Sequence, residues 1–258
     1  GNLLLGAMFV YRFGSVQTEN TFRLDGTTIS PFGNSSVDNI KSFSGVGASL
    51  GAAYKQSIGE DKFLNFGSFY NLESKINSTL LSTLQNQAIN GVVISSDTLV
   101  NNVKSKLTLP ARLGFGLSYE KFQSLIIGID VMTQDWTKFI GENGPDPGYG
   151  EAFRVAIGGE IIPNYQDLKL LNRISYRFGV HYERTPYLVN GADVNDVGSK
   201  LGASIPLTAF WGISNVNLGV TFGRRGNITN DRVRENYVKI NLGFSLQDLT
   251  WFSRGKFD

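Results

Sequence analysis

The 258-residue sequence contains no cysteine and a single histidine. These absences exclude thiolate metal sites, cysteine nucleophiles and zinc sites built from several histidines. No apolar run approaches the ~20 residues that a membrane-spanning helix needs, and the formal net charge of +2 does not favour a nucleic-acid-binding protein. No nucleophile–base arrangement is recognisable either. The sequence therefore predicts that the protein is not an enzyme and that it has no catalytic residues, cofactor or metal.

Glycine and aromatic residues are plentiful instead, with 30 Gly, 18 Phe, 10 Tyr and 3 Trp. Ten segments show apolar residues alternating with glycine, small, polar or charged residues. In the last of them, Val238 and Ile240 alternate with Lys239 and Asn241. The ten segments are Leu3–Phe13, Val46–Lys55, Leu64–Leu72, Ala111–Glu120, Leu125–Gln134, Ala152–Ile161, Ile174–Glu183, Leu201–Leu207, Val216–Gly223 and Tyr237–Leu246.

This alternation is typical of β-strands whose two faces lie in different solvents. Segments of about 9–11 residues match tilted membrane-crossing strands and exceed the ~5–6 residues usual in globular sheets. The charged residues fall on the polar side of the alternation: Arg12, Lys55, Arg112, Glu120, Asp130, Arg154, Glu160, Arg177, Lys200 and Lys239. Because unpaired backbone groups are costly in hydrocarbon, the sequence predicts an all-β fold, a closed transmembrane antiparallel β-barrel. A soluble sheet with its apolar face inward is the alternative.

The connections between the segments alternate in length, as in outer-membrane barrels, where short periplasmic turns alternate with long external loops. Residues 57–62 and 120–124 are short connections, whereas the long ones are 14–44, 73–106, 135–151 and 223–236. With an even number of strands, both ends of the chain are expected on the short-turn side. Residues 77–104 are predicted to form an extended external hairpin or a short helix.

Several motifs stand out in the second half of the chain: RVAIGGEIIPN (Arg154–Asn164), RISYRFGVHYERTPYLVNG (Arg173–Gly191), VNLGVTFGRRGNITNDRVRENYVKINLGFSL (Val216–Leu246) and WFSRGKFD (Trp251–Asp258). Together with WTKF (Trp136–Phe139), they resemble FadL/TodX-type outer-membrane proteins, most closely the branch of Bacteroidota-like bacteria. The resemblance is specific from about Ala111 onward, and the earlier part is similar in style only.

The resemblance implies a monomeric barrel of fourteen strands with an N-terminal hatch in its lumen, placed in the lipid of the bacterial outer membrane. Only ten strands are readable, so we expect residues 1–258 to form a single barrel domain that lacks the family's hatch and first strands. A ten-stranded barrel is the alternative. No site residue of the family can be carried over by position.

Five residues on the polar side of the alternation are candidate lumenal ligand contacts: Arg112, Arg154, Arg177, His181 and Glu183. Arginines in neighbouring strands suit a carboxylate head group, which a guanidinium binds through two hydrogen bonds. A histidine beside them would make such a contact sensitive to protonation. The alternative is that these charges pair with one another and with nearby carboxylates, and thereby stabilise the barrel interior.

The motif FGRRGNITNDRVREN (Phe222–Asn236) predicts a charged external loop. Its residues Arg224, Arg225 and Arg232 are candidate contacts for a partner protein or for surface lipid and polysaccharide. A solvated loop whose arginines pair with its own acidic residues is the alternative.

Three functions are compatible with these observations. The family resemblance favours passive uptake or lateral transfer of hydrophobic small molecules such as fatty acids. The alternative is a structural or accessory barrel subunit of a larger outer-membrane complex, such as type IX secretion or barrel-assembly machinery, which requires other outer-membrane proteins as partners. A lipid-hydrolysing barrel is a third idea, for which no Ser–His pair at a readable spacing exists.

Overall fold

The computed structural model describes residues 1–22, 33–88, 92–142, 144–209, 212–228 and 233–246. Nearly all of them lie in strands. The strands are β1 (Asn2–Phe22), β2 (Asn34–Gly59), β3 (Lys62–Asn71), β4 (Ser74–Gln87), β5 (Val93–Leu109), β6 (Arg112–Lys121), β7 (Leu125–Asp135), β8 (Ile140–Gly141), β9 (Gly144–Pro145), β10 (Glu151–Ile161), β11 (Ser175–Val189), β12 (Ala192–Ala209), β13 (Gly212–Gly226) and β14 (Arg234–Leu246). Two short helices accompany them, a 3₁₀ turn at Trp136–Lys138 and α1 (Leu170–Arg173).

The fourteen strands form one antiparallel sheet, which confirms the predicted all-β class. Ten of them follow one another as a meander, in the order β1–β2–β3–β6–β7–β10–β11–β12–β13–β14. Each of these ten strands contains one of the predicted segments. The period-two alternation therefore located the strands of the sheet.

The other four strands lie in connections that were predicted as long loops. The hairpin of β4 and β5 continues the hairpin of β3 and β6, and β4 pairs with the first half of β2. This confirms the predicted hairpin within 77–104. The prediction of a loop over 14–44 is wrong in its larger part, because β1 runs on to Phe22 and β2 starts at Asn34, with paired backbones throughout. Polar Ser, Thr and Asn side chains suit strands that extend beyond a membrane into water, and they conceal those strands in a hydrophobicity pattern.

Burial in this sheet is the reverse of burial in a soluble protein. Among the described residues, Ile174 is the only large hydrophobic side chain that is buried, whereas the buried polar side chains include Ser175, Asp196, Ser204 and Thr221. About fifty large hydrophobic side chains of the described residues are exposed, many of them on the apolar side of the alternation, where Phe178 and Leu218 keep 49% and 45% of their surface accessible. A soluble sheet would bury this face, so the soluble alternative is wrong and the outer face is suited to hydrocarbon.

The described pairing leaves the sheet open. Within the described residues, β1 pairs only with β2 and β14 only with β13, so the predicted closure into a barrel is not observed there. The turn between β11 and β12 is an Asn-Gly pair, and Asn190 and Gly191 have the positive φ angles, 51° and 70°, that tight hairpin turns require. Across the described ranges, no helix is both long and apolar enough to traverse a membrane.

Candidate functional site

In every strand of the meander, the polar side of the alternation lies on the same face of the sheet. This face is called here the inner face. Paired residues of antiparallel strands point to the same side, and this face carries Arg112, Asp130, Arg154, Arg177 and Lys200. Two cavities lie against it, of about 950 Å³ and about 710 Å³. They meet at residues that line both of them: Ala53, Gly67, Gly116 and Asp130.

Small residues on the inner face make room for large side chains of neighbouring strands. A Cβ atom on Gly114 would lie 2.2 Å from the ring of Phe69, and one on Gly198 would lie 2.5 Å from the His181 ring. Both distances are shorter than van der Waals contact allows. The two glycines therefore leave the space that the Phe69 and His181 side chains occupy.

The three arginines of the predicted row have different surroundings. Arg112, Arg154 and Arg177 are on β6, β10 and β11, with only β7 intervening, as the sequence indicated. Arg112 and Arg154 line the smaller cavity, however, and Arg177 lines the larger one. The three guanidinium groups therefore do not form one continuous binding row.

The predicted group of Arg177, His181 and Glu183 also separates, because each side chain pairs across a strand boundary. Arg177 Nε lies 2.6 Å from Glu160 Oε2, and Arg154 Nη1 lies 3.7 Å from Glu183 Oε2. On the next strand pair, His181 Nε2 lies 3.4 Å from Asp196 Oδ1. This arrangement favours the alternative in which lumenal charges neutralise one another and stabilise the wall.

Asp196 is the centre of a polar cluster that the sequence did not reveal. Its side chain is 3% exposed and accepts hydrogen bonds from Tyr237 Oη at 2.8 Å and from Arg225 Nε at 2.8 Å. His181 approaches from the other side, and its Nδ1 atom is buried without a hydrogen-bond partner. The cluster joins β11, β12, β13 and β14. It was missed because Asp196 precedes the readable part of its strand, in a stretch predicted as a loop.

Arg112 differs from Arg154 and Arg177, the other two arginines of the row, because no carboxylate among the described residues lies within ion-pair distance of it. Its guanidinium lies against the Met132 sulfur and 5.6 Å from the centre of the Phe69 ring. On β1 two of the inner positions are apolar, Leu4 and Met8, which lie opposite Ala53 and Ser49. The smaller cavity thus combines apolar side chains such as Leu4, the aromatic ring of Phe69, and the Arg112 guanidinium, which has no carboxylate partner among the described residues.

The candidate residues of the charged loop fall in three different places. Arg225 is an inner-face residue that binds Asp196, so its pairing is structural. Arg224 is exposed and paired in register with Val197 on the outer face. Arg232 lies outside the described residues. Of the two candidates that the structure describes, Arg224 is the one placed where a lipid or partner contact of the predicted kind would occur.

Comparisons with known proteins address the fold and the family. A family model described as BamG matches residues 1–258. Among solved structures, the chain is similar to the CymD monoaromatic hydrocarbon channel, with a TM-score of 0.55, 15% identity and coverage of 94% of this chain and 68% of that chain. No match was found among curated proteins. The structural likeness supports the fold that the FadL/TodX resemblance implies, whereas the matching family model belongs to a different family.

Proposed function

The chain belongs to the BamG family, and from that premise we propose that it is a β-barrel of the bacterial outer membrane with one of two roles. In the first role its lumen admits hydrophobic small molecules. In the second it is a subunit of a larger outer-membrane assembly. The exposed apolar outer face supports the location, since side chains such as Phe178 and Ile240 suit hydrocarbon and not water.

Uptake of hydrophobic small molecules is supported above all by the smaller inner cavity. Its volume of about 710 Å³ falls in the range of small-molecule sites, which are mostly apolar with a few polar groups that orient the ligand. Leu4, Phe69 and Met132 supply apolar surface, and the charged residues Arg112, Asp130 and Arg154 also line the cavity. Of these three, Arg112 is the cation that no carboxylate of the described residues pairs with. The likeness to a monoaromatic hydrocarbon channel agrees with such a ligand.

A transport assay with a blocking variant tests this role. Proteoliposomes would be compared with protein-free liposomes for uptake of a labelled fatty acid and of an uncharged aromatic hydrocarbon. Gly67→Phe places a ring at the junction of the two cavities, where a Cβ meets no atom within 4 Å. We expect uptake above the protein-free rate, reduced at least threefold by Gly67→Phe. Leu64→Phe, on the outer face of the same strand and lining neither cavity, is the matched control and should transport normally. Uptake equal to that of protein-free liposomes would exclude the role.

The subunit role is supported by the match of the BamG model to the whole chain. The inner face is consistent with it, because Arg154, Arg177 and Arg225 are each paired with carboxylates and are not free for a ligand. The test is purification from membranes in mild detergent, followed by mass measurement of the intact particle. Co-purification of another outer-membrane protein at fixed stoichiometry is expected. A homogeneous monomer that transports the labelled probes would argue for the first role instead.

A further inference from the structure

The connection between β7 and β10 forms an arm at the long-loop end of the sheet, defined here as residues 136–142 and 144–150. Its two ends are held together by aromatic rings. The ring centroids of Trp136 and Tyr149 are 5.6 Å apart, and those of Phe139 and Tyr149 are 5.2 Å apart. Asp135 accepts a hydrogen bond from the Thr137 amide at the start of the arm. The base of the arm is therefore a fixed structure and not an open loop.

From this base the arm extends across the inner side of the neighbouring strands. Ile140 pairs with Thr108 at the edge of β5. Beyond it, the Glu142 carboxylate passes β5 and binds Ser78 Oγ of β4 at 2.5 Å and Lys41 Nζ of β2 at 2.7 Å. The contact between Lys41 and Glu142, 101 residues apart in the chain, is here called the latch.

An open cavity of about 480 Å³ lies between the arm and the wall, and both residues of the latch line it. The wall contributes Lys41, Phe43 and Leu107, and the arm contributes Glu142 and Pro145 among others. The hydrogen bond from Lys41, with that from Ser78, lowers the pKa of the Glu142 carboxyl below its ordinary value of 4.5. The carboxylate is therefore charged at neutral pH, when the latch includes an ion pair. The Lys41 and Glu142 side chains are 39% and 22% exposed, so water can reach the ion pair and compete with it.

We propose that the arm is a movable cover over the long-loop mouth of the lumen, held shut by the latch between Glu142 and Lys41. The long-loop end of outer-membrane barrels faces outward, so the cover would control access from outside the cell. The inference rests on the proposed barrel with its lumen, and it holds for either of the two proposed roles. The base near Trp136 is the fixed part, and the tip that carries Glu142 is the part that moves.

Access beneath the cover is measured with a single reporter cysteine. Because the chain contains no cysteine, Phe43→Cys introduces a unique thiol under the arm. Whole cells would be exposed to a membrane-impermeant maleimide, and the labelling rate followed by gel shift. In the Glu142→Gln background we expect labelling to be about three- to tenfold faster than with the native latch. Leu107→Cys is a second reporter in the same cavity, which serves if Phe43→Cys does not fold.

A matched control separates opening of the arm from general loosening. Ser42→Cys places the thiol one residue away, on the exposed opposite face of β2, and its labelling rate should not depend on the latch. Equal acceleration at Ser42→Cys and Phe43→Cys would overturn the proposal, as would no acceleration at all. Folding of each variant is verified by its heat-modifiable migration in detergent gels.

Exchange of the two charges tests the latch itself. The double variant Lys41→Glu with Glu142→Lys should return the labelling rate to within about twofold of the native latch, whereas Lys41→Glu alone should accelerate labelling more than Glu142→Gln. Failure of the exchange to restore slow labelling would refute the ion pair as the closing contact. The measurement does not require transport, so a negative uptake assay and a negative labelling result remain distinguishable.

Discussion

The Asp196 cluster provides the sharpest test of how this sheet is stabilised. Replacing Asp196 with Asn preserves the shape of the side chain and removes the charge that three donors share. We expect Asp196→Asn to lower the free energy of unfolding, because the amide presents two N–H groups to donors that need an acceptor. The loss should be larger than for most polar substitutions in strands, since the carboxylate is 3% exposed.

The magnitude follows from the individual contacts. The Tyr237 hydroxyl binds the buried carboxylate at 2.8 Å, and a hydrogen bond to a charged group is worth about 1.5 kcal/mol. Arg225 is 48% exposed, so its ion pair is discounted to about 0.5–1 kcal/mol. His181, at 3.4 Å, adds little. The expected total is about 2–3 kcal/mol.

Urea unfolding in lipid vesicles, followed by heat-modifiable gel migration, measures the loss. Asp193→Asn is the matched control on the same strand: its side chain is 43% exposed and pairs with Arg184 at 3.6 Å, so it should cost less than ~0.5 kcal/mol. Tyr237→Phe should cost about 1–1.5 kcal/mol, and much less when Asp196 is already Asn, because the two residues share one interaction. If the Asp196→Asn and Asp193→Asn variants had the same free energy of unfolding, the Asp196 cluster would not stabilise the sheet more than an exposed ion pair does.

Three further outcomes are expected. Gly114→Val should lower the free energy of unfolding by about 1–3 kcal/mol in the same urea assay, because its side chain overlaps the Phe69 ring; a stability equal to that of the native chain would contradict the packing described. Leu117→Arg on the outer face should cost about 2–4 kcal/mol near mid-membrane, whereas Ser118→Arg on the inner face should cost less than about 1 kcal/mol, and equal costs would contradict the assignment of the faces. The pKa of Glu142 is lowered, so the latch is stabilised by ionisation above 4.5 and weakens as the pH falls through the lowered value. The hydrogen-exchange rates of the backbone amides in the arm should therefore differ between the native protein and Glu142→Gln above pH 4.5. The difference should vanish once the pH is below the lowered pKa of Glu142.

The family match and the sequence motifs led to different families, while the observed fold agrees with the all-β fold that the motifs implied. The motifs of the second half resemble FadL/TodX proteins, and the chain belongs to the BamG family. Short strand motifs with alternating apolar and glycine residues are shared by barrels of different function, because the membrane and the lumen impose the same alternation on each of them. The motifs were therefore informative about the sheet and less so about the family.

The sequence by itself determined where the membrane strands are and which way each side chain points. Successive residues of a strand point to opposite faces, so Phe178 and Arg177 had to lie on opposite sides whatever their neighbours. It missed strands such as β4 and the start of β2, because polar residues are frequent on both of their faces and no period-two alternation marks them.

Only the tertiary structure decided which inner charges meet. Partners across strands depend on the register of each pair, and register results from the whole sheet and its turns and is not visible in one segment. Arg177 thus binds Glu160 and not His181, and Asp196 gathers donors from three other strands. The latch between Glu142 and Lys41 arises in the same way, since the arm must first be placed beside β5 before its carboxylate can reach β2.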